Sequence, residues 1–314
     1  LKCGKNFNKL WKWSVKYPEL FWSEVWDFTK IKGLKGKKII KKNKIFYKNI
    51  FFPDSKINYA ENLLVKKNNE NAIHFLSESG LEKKISWKKL YEDVCKFSHY
   101  LKKINLKEKD RVAAYVPNSI EAITSFLATS KNGLIWSSCS PDFGADGVID
   151  RFSQIKPKIL ITCEYYFYNG NKINILEKIP KILKKIKSIK KIILIPYDNQ
   201  KLNLNNNFDF INWITIMESK KKFEKFEKYE FNHPLYILYS SGTTGIPKCI
   251  VHGAGGSLIQ HKKEHQLHCN INENDKVFYF TTCGWMMWNW LVSSLASKTT
   301  IVLYDGSPFF PNND

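Results

Sequence analysis

Leu235-Tyr236-Ile237-Leu238-Tyr239-Ser240-Ser241-Gly242-Thr243-Thr244-Gly245-Ile246-Pro247-Lys248 runs an apolar stretch into a loop of hydroxyls and glycines that ends on one lysine. The apolar half has the length and bulk of a buried strand. The polar half carries what a phosphate needs. Glycines let backbone N–H groups approach an anion, hydroxyls donate further hydrogen bonds, and an ammonium supplies charge. The spacing is not that of a Walker A loop, G-x-x-x-x-G-K-[ST]. Gly242 and Gly245 lie too close together, and Cys249 follows the lysine where that motif has Ser or Thr. A Ser/Thr/Gly-rich segment also suits an ordinary turn. A run of suitable residues directly after a strand favours phosphate binding.

Working outward, strands and helices alternate. Ser86 reads as an N-cap, followed by Leu90, Val94, Phe97 and Leu101 on one helical face. Arg111 to Val116 reads as a buried strand ended by Pro117, residues 119–132 as a helix closed by Gly133, and Leu134 to Trp136 as a strand. The pattern continues with a helix over 145–155, a strand at 158–162, a helix at 173–186 and a strand at 191–195. After a polar, Asn-rich break at 199–207 come the strand at 235–239 and a helix near 256–268. Strands at 277–281 and 299–304 then flank a helix near 286–297. Repeated units of this kind predict an α/β fold with parallel-type sheets flanked by helices. Val277 to Ser297 carries no formal charge and is long enough to span a bilayer, but its polar residues and Gly284 divide it into strand, loop and helix.

The 314 residues carry 50 basic and 29 acidic side chains, a net charge of +21, and only Arg111 and Arg151 are arginines. Recognition of bases and phosphates favours arginine forks, so the composition predicts a lysine coat and no nucleic-acid partner. Lys30 to Lys48 holds nine lysines and no acid. It reads as a solvated segment, with a polyanion-contacting arm as the alternative. Seven scattered cysteines without a C-x-x-C pair suit reduced thiols in a cytoplasmic protein. No signal peptide follows the basic N-terminus, and the chain opens on Leu1 where a complete one would open on Met.

The stretch at 235–248 resembles the ATP-phosphate signature of the acyl-adenylate-forming enzymes. Phe21 to Phe28, Phe51-Phe52-Pro53 and Asn58 to Leu64 are similar to the leader of the acetyl-CoA synthetase branch. Ile135 to Gly144, Gly284 to Trp290 and Tyr304-Asp305-Gly306-Ser307-Pro308 are similar to the acetoacetyl-CoA synthetases within that branch. The resemblance implies a leader at 1–70 and, at 71–314, an incomplete AMP-binding domain: the truncated large N-terminal domain of the fold. The Tyr-Gly-x-Thr-Glu motif, the ribose-binding Asp and the mobile C-terminal domain of the family have no counterpart, so the expectation is a fragment inactive by itself.

The implied activity is ATP-dependent ligation of acetoacetate to coenzyme A through an acyl-adenylate, with Mg²⁺ accompanying ATP. Acetyl, propionyl or butyryl specificity is the alternative. Ser240, Ser241, Gly242, Thr243, Thr244, Gly245 and Lys248 are implied to hold the departing phosphates, with Lys248, Thr243 and Thr244 the catalytic members. Lys172, after Asn169-Gly170-Asn171, falls where the family meets the CoA phosphate, or else is a solvated surface lysine. Trp285, Met286 and Met287 are implied to border the acyl pocket, or else pack in the core. Asn289 is positioned by our reading to hydrogen-bond the 3-oxo group. Cys283 stands where Thr is expected, and Asp142 and Arg151 read as capping or ion-pairing residues. The expected partners are these small molecules, with no membrane and no obligate protein.

One constellation points elsewhere. His261-Lys262-Lys263-Glu264-His265 matches H-x-x-E-H, in which two histidines on one helical face hold zinc and the glutamate acts as base. Lys262 and Lys263 oppose a cation there and no third ligand is evident, so no metal site is expected.

Overall fold

Strands buried on both faces need near-continuous apolar or small side chains. Val112, Ala113, Ala114 and Tyr115 satisfy this, as do Ile159, Leu160 and Ile161, all inaccessible to solvent. The computed structural model describes residues 6–198, 209–240 and 245–312. Its larger sheet has the order Phe210–Asn212, Lys191–Ile195, Ile159–Cys163, Arg111–Tyr115, Ile135–Cys139, Pro234–Ser240, Lys248–Gly253. Neighbours are parallel except for the last pair, which is antiparallel. A second sheet, in the order Lys276–Phe278, Thr300–Asp305, Asn71–Ser77, Glu82–Ser86, is parallel with one antiparallel edge.

Local chemistry sets the helices. In Trp87–Lys103 the Ser86 side chain accepts from the Lys89 N–H, and the apolar stripe Leu90, Val94, Phe97 and Leu101 is fully buried. Ile120–Lys131 is capped by Ser119 and followed by Gly133 at φ +67°. A Cβ at Gly133 would meet the Tyr229 ring at 2.5 Å, so both conformation and space require glycine. Val277 to Ser297 divides as expected into a strand, a loop and the helix Met286–Ser293 with a final 3₁₀ turn. Among the described residues no helix is long and apolar enough to cross a membrane.

One expectation requires correction, and one strand is new. Residues 173–186 are not one helix. Tyr165–Tyr168 and Asn171–Asn174 form a hairpin across Asn169-Gly170, whose φ values of +52° and +75° make the tight turn that Asn-Gly favours. The helix is confined to Ile179–Lys185. The chain after the glycine-rich loop also returns as a strand, Lys248–Gly253, which no periodicity announced. The polar break at 199–207 lies outside the described residues.

The two sheets are brought together at their carboxyl ends. After Arg111–Tyr115 the chain places its next strand on one side and the following strand on the other, a switch point that opens a crevice beyond the strand ends. The leading segment packs into the same core. The ring of Trp26 meets those of Phe52 and Phe231 at 5.0 and 5.9 Å, and Gly33–Leu34 pairs through Lys56–Ile57 with Tyr229–Glu230. Buried apolar residues form one cluster from Val25 to Leu303.

Candidate functional site

Strand Pro234–Ser240 delivers the glycine-rich loop at the carboxyl edge of the larger sheet. Ser240 stands opposite Lys248 in the antiparallel register, so the two ends of the loop lie side by side. Ser241, Gly242, Thr243 and Thr244 fall outside the described residues. Gly245 has φ +97°, with nothing within 4 Å of where a Cβ would sit, leaving its backbone open to an approaching group. Lys248 is exposed and makes no ion pair with a described carboxylate. An open backbone and an uncommitted ammonium fit a polyphosphate.

Helix Ala145–Ile155 lies against the described end of this loop and the strand that leads into it. Arg151 donates to the Gly147 carbonyl at 2.8 Å, and its guanidinium lies 4.1 Å from the Phe143 ring centroid and 5.9 Å from that of Tyr239. Gln154 donates to the Pro247 carbonyl at 2.9 Å, beside Lys248. Sequence reasoning gave Arg151 no chemistry and missed Gln154. The only prior signal was the placement of both on the helix after the Ser140-to-Gly144 motif. Asp142, expected to cap or to pair with a cation, accepts from Ser140 Oγ at 2.6 Å.

A cleft of about 100 Å³ opens where the strands of both sheets end. It is lined among others by Asn118, Ser140, Asp142, Tyr166, Thr281 and Asp305. Burial pushes the Asp305 carboxyl up to about 7 against the opposing hydrogen bond from Tyr197 Oη at 3.0 Å. Cys283 packs behind the cleft. Its Sγ faces the Pro117 carbonyl at 3.3 Å, its own carbonyl accepts from Ser138 Oγ at 2.6 Å, and burial raises its thiol far above the ordinary range.

The other candidates scatter. Trp285 is 67% exposed and Met286 also faces solvent, while Met287 is half-buried. Asn289 is 1% exposed with neither amide atom hydrogen-bonded. Lys172 lies in the hairpin with its ammonium 3.6 Å from the Tyr165 ring centroid, an exposed cation–π contact.

The histidine constellation does not assemble a metal centre. The His261 and His265 ring centroids are 6.4 Å apart, His261 Nδ1 meets Ser293 Oγ at 2.9 Å, and Glu264 accepts from Gln260 and Trp290. Among the described residues no three His, Cys, Asp or Glu side chains are grouped to hold a metal.

Comparison with known proteins gives the family and the fold. Residues 63–314 match the family model of the AMP-binding enzymes. The chain is 42% identical over 323 residues to the acetoacetyl-coenzyme A synthetase of Rhizobium meliloti (strain 1021), covering 99% of this chain and 49% of that protein. It is 37% identical over 327 residues to a malonamoyl-CoA synthetase of Penicillium aethiopicum, covering 98% and 44%. The solved structure of acetoacetyl-CoA synthetase from Streptomyces lividans superposes with a TM-score of 0.91 at 34% identity, over 98% of this chain and 47% of that one. The chain thus spans about half the length of these relatives. Matched from residue 63 to its last residue, and built on the same two-sheet frame, the chain belongs to the AMP-binding enzyme family.

Proposed function

We propose that this chain supplies the ATP-phosphate and acyl-binding part of an acetoacetate–CoA ligase. An acetoacetate carboxylate oxygen attacks the α-phosphorus of Mg-ATP, forming a carboxylic–phosphoric mixed anhydride as the anhydride bond between the α- and β-phosphates breaks and pyrophosphate leaves. The thiolate of coenzyme A then attacks the acyl carbonyl and AMP leaves with the carboxylate oxygen. The observation that carries the reading is the opposition of Ser240 and Lys248 across the glycine-rich loop, at the carboxyl edge of a parallel sheet. In the first step negative charge grows on the departing phosphates. Lys248, the Ser240 hydroxyl and the open backbone at Gly245 would hold that charge, with Ser241, Gly242, Thr243 and Thr244 completing the cradle. Arg151 and Gln154 would keep the cradle in place.

On the acyl side, the relatives are named for acetoacetyl and malonamoyl groups, and both carry a carbonyl at C3. An unpaired amide at Asn289 suits such an oxygen, with Trp285, Met286 and Met287 bordering the acyl chain. Lys172 would meet a phosphate of coenzyme A. The leader at 1–70, the adenylating body at 71–314 and a cytoplasmic location belong to the same proposal.

The test is acid-dependent pyrophosphate release by the product of the whole reading frame that contains this chain. Acetoacetate should be turned over far better than acetate or butyrate, with malonamate as the informative competitor. Lys248→Ala should lower the rate by about 10²–10³-fold, the typical cost of one charge-stabilising donor. Equal use of all acids would remove the specificity, and an undiminished Lys248→Ala rate would remove the phosphate cradle.

A further inference from the structure

The first helix, Phe7–Lys16, turns its apolar side outward. At about 100° per residue, Phe7, Leu10, Trp11 and Val15 share one face and Lys9, Lys12 and Lys16 the opposite one. None of its residues is buried. Phe7 is 77%, Trp11 55% and Val15 65% exposed. Trp13, between the two faces, makes the inward contact, edge-on to Phe21 at 6.2 Å. Rings continue from Phe21 to Trp22 at 5.2 Å and from Trp22 to Phe51 at 6.1 Å, reaching the hairpin of Ile40–Lys41 and Ile50–Phe51. At that hairpin's tip Phe46 and Tyr47 are 85% and 81% exposed, flanked by Lys41, Lys42, Lys44 and Lys48. Leu20 and Phe28 of the intervening helix Pro18–Phe28 are also exposed.

This outward aromatic layer is also the most one-sidedly charged. Residues 6–50 hold twelve lysines against Glu19, Glu24 and Asp27, a surplus of nine. Only two ion pairs, Lys35–Asp27 and Lys42–Glu19, neutralise any of them among the described residues. A second copy would bring the same positive charge face to face. An uncharged apolar partner would leave the lysines without counterions. Nucleic acid would use the lysines and leave the Phe, Leu and Trp face bare. A surface that accepts apolar side chains and carries diffuse negative charge satisfies both features.

We propose that residues 6–50 dock this chain peripherally on an anionic lipid surface. Phe7, Leu10, Trp11, Phe46 and Tyr47 enter the boundary between headgroups and acyl chains, and the lysine stems extend so that their ammonium groups reach lipid phosphates and carboxylates. Such a contact needs no spanning helix, and none is present among the described residues. It stands apart from the proposed ligase activity and does not depend on it.

The test is co-sedimentation of the whole 314-residue chain with phosphatidylcholine vesicles, with or without phosphatidylserine. Binding should be at least about tenfold tighter to the anionic vesicles and should weaken as salt is raised. The double variant Phe7→Glu, Trp11→Glu should lose about tenfold or more while keeping the parent's circular dichroism, because neither side chain enters the core. Tyr47→Glu, on the hairpin tip, is the independent second variant. Absence of binding, equal binding to neutral vesicles, or unaltered binding by both variants overturns the proposal. So does a dimer in sedimentation equilibrium that the double variant splits, which would assign the face to a second copy. Displacement from the vesicles by duplex DNA at equal charge would likewise assign the lysines to nucleic acid.

Discussion

Asn289 follows Trp288, whose buried indole donates to Asn118 Oδ1 at 2.9 Å, yet its own amide is buried without a partner. An unsatisfied buried polar group costs about 1–3 kcal/mol. Asn289→Leu should therefore raise the stability measured by urea unfolding by about 1–2 kcal/mol. On the proposed acyl role it should also shrink the preference for acetoacetate over butyrate by about tenfold or more, because a site lined to pair an oxygen loses its discrimination with that group. A stability gain with selectivity intact would take Asn289 out of the acyl site. Lys131 is the contrasting residue. It is fully buried, donates to the Phe223 and Lys225 carbonyls at 2.7 Å each, and lies over the Phe223 and Phe226 rings. Lys131→Met would strand both carbonyls and should destabilise the chain by about 2–3 kcal/mol in the same measurement.

At the scale of elements, one carboxylate joins the two sheets' loops. Glu78 accepts from the Asn169 and Gly170 N–H groups at 3.0 and 2.9 Å and from the Ser307 N–H at 2.6 Å. It thereby ties the 165–174 hairpin to the turn after strand Thr300–Asp305. Glu78→Ala should speed hydrogen exchange at those three amides while leaving the central strands protected, because the clamp lies outside the core. Exchange unchanged at Ser307 would show that the turn holds itself. The central parallel strands were legible because burial on both faces demands a continuous apolar run, and the capped helices because Ser86, Ser119 and Gly133 mark their ends. Two elements escaped for opposite reasons. Ile173, Leu176, Ile179 and Ile182 recur at helical spacing, and the hairpin closed by Asn169-Gly170 was not foreseen. Lys248–Gly253 is an edge strand with mostly exposed side chains, so neither face imposes a pattern. The loop between Ser240 and Gly245 was singled out from residue type alone, and its residues 241–244 lie outside the described residues. Gln154 was not, because its contact joins positions 93 residues apart in the chain.

At the scale of the whole molecule, buried titratable groups make stability depend on pH in opposing directions. Burial pushes His261 down to about 4 and His265 to about 3, and the latter stands edge-on to the Trp290 ring at 4.4 Å. Unfolded histidine titrates near 6.5. The stability of keeping these rings neutral is therefore complete above about pH 6.5 and is lost as pH falls, the unfolded chain taking up protons that the fold refuses. Asp305 acts the other way. Its folded value is raised to about 7, so the fold retains a proton that the unfolded carboxyl releases near pH 4, and stability falls as pH rises from about 4 to 7. Two variants separate the contributions in urea unfolding across a pH series. His265→Phe fills similar space without a titratable ring and should reduce the loss between pH 6.5 and 4 by about 2 kcal/mol or more. Asp305→Asn keeps an acceptor for Tyr197 Oη and should exceed the parent's stability at pH 8 but not at pH 4. If instead the Asn variant were weaker at pH 8, the ionised carboxylate would be contributing stability at this cleft, through the hydrogen bond from Tyr197 Oη.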